Sequence, residues 1–242
     1  MSGHSKWANI KRQKQANDLV RGNIFSKLSR IITLAVLEGG GITEPENNIK
    51  LRLAIDKARQ ANMPKDNIHR AIEKGAGPGK QDLKEIVYEG FASGGISLII
   101  LTATDNLNRS SSEIRQILER SGGKLGHQGS VAYLFLKCAV VTFKKSLADE
   151  EKVFRFSEKM QAIDIDQDND YYYVFISFVS LGKIKENLDD LVYESVEVDY
   201  KPQTTVLLDN SEQIKHFTDL IDTLESLDDV QKVFSNAEIK SN

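Results

Sequence analysis

The hydrophobic period of this chain changes once, at Gly75-Ala-Gly-Pro-Gly79, and that break decides what each side can fold into. Upstream, Ile24, Phe25, Leu28, Ile31, Ile32, Ala35 and Val36 recur at spacings of three and four, which predicts an amphipathic helix over residues 23–38. Lys27 and Arg30 fall off that stripe and are expected to face outward. Gly39-Gly40-Gly41 stops the helix, because consecutive glycines carry a high entropy cost in any regular element. Thr43 and Glu46 read as a capping box, with Pro45 in the first turn of a second helix that buries Leu51, Ala54, Ile55 and Ala58. Pro64 opens a third helix burying Ile68, Ala71 and Ile72, with Gly75 as its expected stop. Residues 1–80 therefore read as a small all-helical domain with a leading arm.

Downstream of Gln81 the pattern is strand-like. Ile86–Ala92 and Ile96–Thr104 flank Ser93-Gly94-Gly95 and predict a β-hairpin. Ser110 with Glu113 is expected to cap a helix carrying Ile114, Ile117 and Leu118, ended by Gly122-Gly123. A glycine-dotted loop leads to a strand at Val131–Leu136. A second β-rich stretch follows: Ala139–Phe143, a helix near Asp149–Met160, Tyr171–Val179, a helix near Leu181–Leu191, and Val192–Tyr200. Ile214, Phe217, Leu220, Ile221 and Leu224 mark a last helix, and Val230–Phe234 a last strand. The fold class is α+β, with sheets covered by helices.

The formal charge of −3 over 242 residues conceals a division between these parts. Residues 1–80 hold 15 Lys and Arg against 7 Asp and Glu, a net of +8, which leaves −11 on the remainder. Like charge clustered on one module is the footprint of a polyanion partner, since Lys and Arg release counterions when they neutralise phosphates. One cysteine, Cys138, excludes a disulfide framework and a cysteine-rich zinc site. No apolar stretch is long enough to span a membrane, and the first residues lack the apolar core of a signal peptide, so a reduced, cytosol-like compartment without membrane attachment is expected, an organelle matrix with a removed presequence being equally compatible.

Catalytic and cofactor signatures fail on inspection. Gly75-Ala-Gly-Pro-Gly-Lys80 resembles a phosphate loop, but Lys74 stands where its first glycine belongs and Gln81 where Ser or Thr must reach magnesium. Asp164, Asp166, Asp168 and Asp170 alternate like a calcium loop, yet Asn169 replaces the turn glycine and Phe175 the closing Glu. They read instead as a solvated acidic turn. The four histidines show no paired spacing for a metal, and Cys138 lies in an apolar strand context. The expectation is a protein that is not an enzyme, with no cofactor, no metal and no small-molecule substrate.

The arm Lys6-Trp-Ala-Asn-Ile-Lys-Arg-Gln-Lys14 supplies the chemistry that remains. Lys6, Lys11, Arg12 and Lys14 can hold phosphates, and Arg21, Lys27 and Arg30 would continue the positive surface onto the first helix. Trp7 either stacks on an unpaired base or anchors the arm on the helical domain. A weaker candidate contact is the loop of Gly122, Gly123, Lys124, Gly126, Gly129 and Ser130, whose glycines permit close backbone approach to a ligand.

Gly3-His-Ser-Lys-Trp-Ala-Asn-Ile-Lys11, Arg21-Gly22, Leu51-Arg-Leu-Ala-Ile-Asp-Lys-Ala58, Ala61-Asn-Met-Pro-Lys-Asp-Asn-Ile68, Glu89-Gly90, Gly122-Gly123 through Gly129-Ser-Val131, and Asp228-Asp-Val-Gln231 together resemble the YebC family over essentially the whole chain. The match at the very start implies that no presequence is attached. The resemblance implies three domains: a helical one over residues 1–80, a middle α+β domain of the ferredoxin-like type over 81–137 and 203–242, and a third, also α+β, inserted over 138–202. It implies a DNA-binding transcriptional regulator. The alternatives are a ribosome-associated translation factor that binds ribosomal RNA and relieves stalling, as mitochondrial relatives are translational activators, or a protein–protein adaptor. It leaves the oligomeric state open. In the inserted domain Gln161-Ala-Ile-Asp164 stands where the family usually has a Gly-Ala-Glu-Asp turn.

Overall fold

A computed structural model describes residues 18–77 and 82–239, with side chains from residue 23 onward. Three helices lead: α1 (Asp18–Glu38), α2 (Ile49–Gln60) and α3 (Lys65–Ala76). Their apolar stripes meet in one core, where Leu28, Ile32, Ala35 and Val36 of α1 pack with Leu51, Ala54, Ile55 and Ala58 of α2 and with Ile68 and Ala71 of α3.

Two local readings change here. The cap of α2 is Asn48, whose side chain accepts from Leu51 N (3.0 Å) and donates to Ala35 O (2.8 Å), tying the helix start to α1. The Thr43–Glu46 capping box does not form, because α2 begins at Ile49, five residues later than a Thr43 cap requires, and the Thr43 hydroxyl instead donates to Glu44 Oε1 (2.9 Å). Gly75 lies inside α3 rather than ending it. A Cβ there would stand 2.7 Å from both Thr33 O and Val36 Cβ, so glycine is what lets α3 cross α1 at backbone contact. Thr33 Oγ1 seals the crossing with a bond to Ala71 O (2.8 Å).

The expected hairpin is present: β1 (Lys84–Ala92) and β2 (Ile96–Thr104) pair antiparallel, turning through Gly94 and Gly95 at φ +79° and +78°. After α4 (Leu107–Arg120), the short β3 (Lys124–Leu125) pairs with β1. The chain returns much later with β8 (Val206–Leu208), α7 (Ser211–Ser226), β9 (Val230–Ser235) and β10 (Ala237–Ile239). These complete a four-stranded sheet of order β3-β1-β2-β9 and a parallel β8–β10 pair. Leu118 of α4 lies against Gly90 of β1, where a Cβ would come within 3.0 Å of its Cδ1. Asn106, not Ser110, caps α4, accepting from Arg109 N (3.1 Å).

Between these segments lie β4 (Phe135–Lys144), α5 (Glu150–Lys159), β5 (Asp164–Gln167), β6 (Tyr171–Ser177), α6 (Ile184–Asn187) and β7 (Ser195–Pro202). The strand order β5-β6-β4-β7 is that of a split β-α-β unit, the ferredoxin-like arrangement. Its core holds Val141, Phe143, Val153, Phe156, Val174 and Ile176, with Phe143 and Phe156 edge-to-face at 5.2 Å. The two strands expected at 131–136 and 139–143 are one strand, preceded by a turn of 3-10 helix over Ala132–Leu134. The helix expected near 181–191 is reduced to 3-10 turns and the four residues of α6. The aspartates expected in a solvated turn begin a strand instead: Asp164 and Asp166 pair with Phe175 and Tyr173, and only Asp168 caps the turn, accepting from Asp170 N and Tyr171 N.

Leu136–Lys201 form one compact unit. The helical domain and the β3-β1-β2-β9 sheet, with the described residues after Pro202, form the other. At the junction the returning chain touches the departing one, with Gln203 N donating to Leu134 O (2.8 Å) and Gln203 Nε2 to Tyr133 O (3.0 Å).

Candidate nucleic-acid interface

A polar stripe on α1, spaced four and three residues apart, turns toward the neighbouring sheet. Asn23 Nδ2 donates to Ser226 O (3.0 Å), Lys27 Nζ to Glu225 O, and Arg30 Nη1 to Ala103 O (3.2 Å) and to the Asp229 carboxylate. Glu225 and Ser226 are the last residues of α7, whose final carbonyls have no partner within their own helix, and a lysine there also meets the negative end of the helix dipole. The outward reading of Lys27 and Arg30 is thus corrected: both are half-buried and spent on holding α1 to the rest of its unit. Helical periodicity marks these positions as off the apolar stripe, but it cannot tell a solvated face from a polar one docked on another element.

Asp229 is the centre of this contact. Its side chain is only 3 % exposed, against 24 % for Arg30 and 42 % for Arg109. Its carboxylate also receives Ser110 Oγ (2.6 Å), Thr104 Oγ1 (3.0 Å) and Arg109 Nη2 (2.8 Å). Burial pushes the Asp229 carboxyl up. The hydrogen bonds from Ser110, Arg109 and Thr104 and the charge of Arg30 outweigh it and hold the group below its ordinary range. The same pairing, with Asp105 added, raises the Arg109 guanidinium.

The glycine loop after α4 is held by a second buried carboxylate. Glu89 of β1, 5 % exposed, accepts from the backbone N–H groups of Gly129 (2.6 Å), Val131 (2.6 Å) and Ala132 (2.8 Å). Burial raises its carboxyl, and these three bonds more than reverse that. Gly123 is pressed against Phe91 O, and Gly122 and Gly129 take φ +70° and +84°, so packing and turn geometry account for these three glycines. Lys124 is exposed, with its ammonium 5.2 Å from the Phe91 ring centre. Glu89→Gln places an amide N–H₂ among three donors and is expected to cost about 2 kcal/mol. In the native protein the folded-state value lies below the unfolded one, so the Glu89 contribution is complete above the unfolded value of about 4.3 and is lost as pH falls through the folded value. Urea melts between pH 3 and 7 should show the wild-type advantage over Glu89→Gln shrink at the acid end.

Lys6, Trp7, Lys11, Arg12 and Lys14 lie outside the described residues, and Arg21 falls in the first turns of α1, where the backbone alone is described. The exposed cations of the helical domain among the described residues stand on α2 (Lys50, Lys57 and Arg59) and on α3 (Lys65, Arg70 and Lys74). Arg70 and Lys74 flank a groove between α1 and α3 whose other walls are Phe25, Ser26, Ser29, Asn67 and Ala71. These positions were not singled out by the sequence reading, although the spacing Asn67, Arg70, Lys74 runs beside the buried stripe of α3 and carried the signal. Among the described residues, no helix is long and apolar enough to cross a membrane.

Comparison with known proteins agrees with this architecture. Residues 5–78 match the TACO1/YebC protein N-terminal domain, and residues 83–237 the TACO1/YebC second and third domain. A "probable transcriptional regulatory protein" of Rubrobacter xylanophilus is 44 % identical over 99 % of this chain and 96 % of its own length. One of the same description from Prosthecochloris aestuarii is 46 % identical over 98 % and 96 %. The crystal structure of a conserved hypothetical protein from Aquifex aeolicus superposes with a TM-score of 0.83 at 37 % identity, covering 93 % of each chain. With both of its halves matched and relatives similar from end to end, the chain belongs to the TACO1/YebC family.

Proposed function

We propose that this protein is a non-enzymatic regulator of gene expression that binds nucleic acid through its N-terminal helical domain. The observation that carries the reading is the charge division, +8 over residues 1–80 and −11 over the remainder. Lys6, Lys11, Arg12, Lys14 and Arg21 hold phosphates, joined by the exposed cations of α3, and Trp7 stacks on a base or seats the arm. Lys27 and Arg30 leave the contact set, because both are half-buried and turned onto the α7 end and Asp229. Lys124 on the 122–130 loop is a second, minor contact. The acidic remainder is repelled by the polyanion, which orients the molecule on it. The relatives named as probable transcriptional regulatory proteins support a regulatory role. Its proposed target is DNA and its proposed compartment the cytoplasm.

Crosslinking in cells, followed by sequencing of bound DNA and RNA together, tests it. Enrichment of discrete DNA sites is the expected result. Reads concentrated in ribosomal RNA would replace the transcriptional reading with a translational one. Recovery of a protein partner alone, resistant to nuclease, would overturn nucleic-acid binding in favour of an adaptor.

A further inference from the structure

The groove between α1 and α3 combines, within one depression, the groups that recognise a single nucleotide. Asn67, Arg70 and Lys74 stand on successive turns of α3, and Ser26 and Ser29 face them from α1 with the half-buried Phe25 ring in the lining. Arg70 is set in place by its own helix: Nε donates to Asp66 O (3.2 Å) and Nη2 to Asn67 Oδ1 (2.7 Å). That leaves the rest of its five N–H donors for a ligand. Lys74 makes no ion pair among the described residues. Neither acid of α3 lines the groove: Asp66 and Glu73 are outside its walls, and the Glu73 carboxylate is beside His69 Nδ1 (3.3 Å).

Two cations, Arg70 held in place and Lys74 exposed beside it, next to hydroxyls and a carboxamide describe a phosphate with its sugar, and an aromatic wall next to them describes a base that has left its stack. A duplex can present phosphates to such a groove but cannot present an unstacked base. We infer that the α1–α3 groove is a nucleotide subsite that takes one unpaired residue of a single-stranded nucleic acid, its phosphate on Arg70 and Lys74 and its base against Phe25. The inference rests on the proposed function and narrows it: the helical domain distinguishes single strands from duplexes, and this groove is where it does so.

The test uses the full-length protein and three fluorescein-labelled probes of one mixed sequence: a single-stranded RNA, the single-stranded DNA, and the DNA duplex. Ser29→Leu fills the groove without changing charge, and Arg70→Gln removes the guanidinium at similar length. Thermal melting of both variants checks the fold, and Arg70→Gln, exposed on α3, keeps the experiment decisive if Ser29→Leu does not fold. Each is expected to weaken single-strand binding about tenfold, the scale of one lost base contact, and to leave duplex binding within about twofold or threefold. The RNA and DNA strands report whether the sugar matters. Wild-type single-strand affinity in the folded variants, or equal losses on single strand and duplex, overturns the subsite while leaving nucleic-acid binding standing. Failure of the wild type to bind any of the three probes at low salt overturns the proposed function itself, and the subsite with it.

Discussion

Asp229→Ala is expected to lower stability by about 3 kcal/mol and to cut the melting temperature by about 6–12 °C for a chain of this size. The substitution removes the one acceptor on which Arg30, Arg109, Ser110 and Thr104 converge. The buried Thr104 hydroxyl is left without the carboxylate it donates to, Ser110 falls back on Asn106 O (3.1 Å) and Thr104 Oγ1 (2.7 Å), and the half-exposed Arg109 recovers water and softens the loss. Asp229→Asn keeps the shape and one acceptor oxygen but loses the charge, so it should fall between wild type and alanine. The sign with pH follows from the depressed carboxyl. Its stabilisation is complete above the unfolded aspartate value of about 3.9 and drains away as pH falls through the lower folded value. The gap between wild type and Asp229→Ala should therefore be widest near neutrality and narrow in acid. A full-sized gap that persists at pH 2–3 would show that the carboxylate's charge is not what holds α1 down.

The second large effect concerns binding. Lys11→Glu with Arg12→Glu is expected to reduce affinity for nucleic acid by on the order of 50- to 100-fold near 0.1 M salt. It should flatten the plot of log affinity against log salt by about 1.8, because each neutralised phosphate contributes about 0.9 to that slope. Thermal melting checks the fold of the variant, and fluorescence anisotropy across a salt series reads the two quantities together. Equal slopes for variant and wild type would remove the arm from the contact.

The elements most legible in the sequence were those whose own side chains decide their structure. The α1 stripe, the Ser93-Gly94-Gly95 hairpin and α7 were visible because local period and turn chemistry agree with the fold there. What could not be read was set by partners far away in sequence. Ser110 resembles a helix cap by spacing, yet its hydroxyl is committed to a carboxylate 119 residues later. Glu89 gives no local hint that it will gather three amides from the 129–132 loop. The strand at Asp164–Gln167 carries acids that disfavour strand structure, and it exists because β6 supplies a ladder beside it. The candidate site divides along the same line. Charge clustering on the first domain is a property of composition and could be counted. Which lysines and arginines are available depends on docking, and Arg30 and Lys27 moved from the surface to an internal contact on that account.

The junction at Gln203, where the returning strand hydrogen-bonds to Leu134 and Tyr133, has a consequence for how the chain is assembled. Because departure and return are pinned at one point, the sheet that needs β9 experiences everything between Leu136 and Lys201 as a closed loop. The entropy of closing such a loop grows only with the logarithm of its length, about 0.6 kcal/mol per doubling. The intervening segment can thus lengthen, shorten or diverge at little cost to the host. That permissiveness makes Leu136–Lys201 the part of the chain freest to take on a new surface while the basic helices and their Asp229 fastening stay fixed.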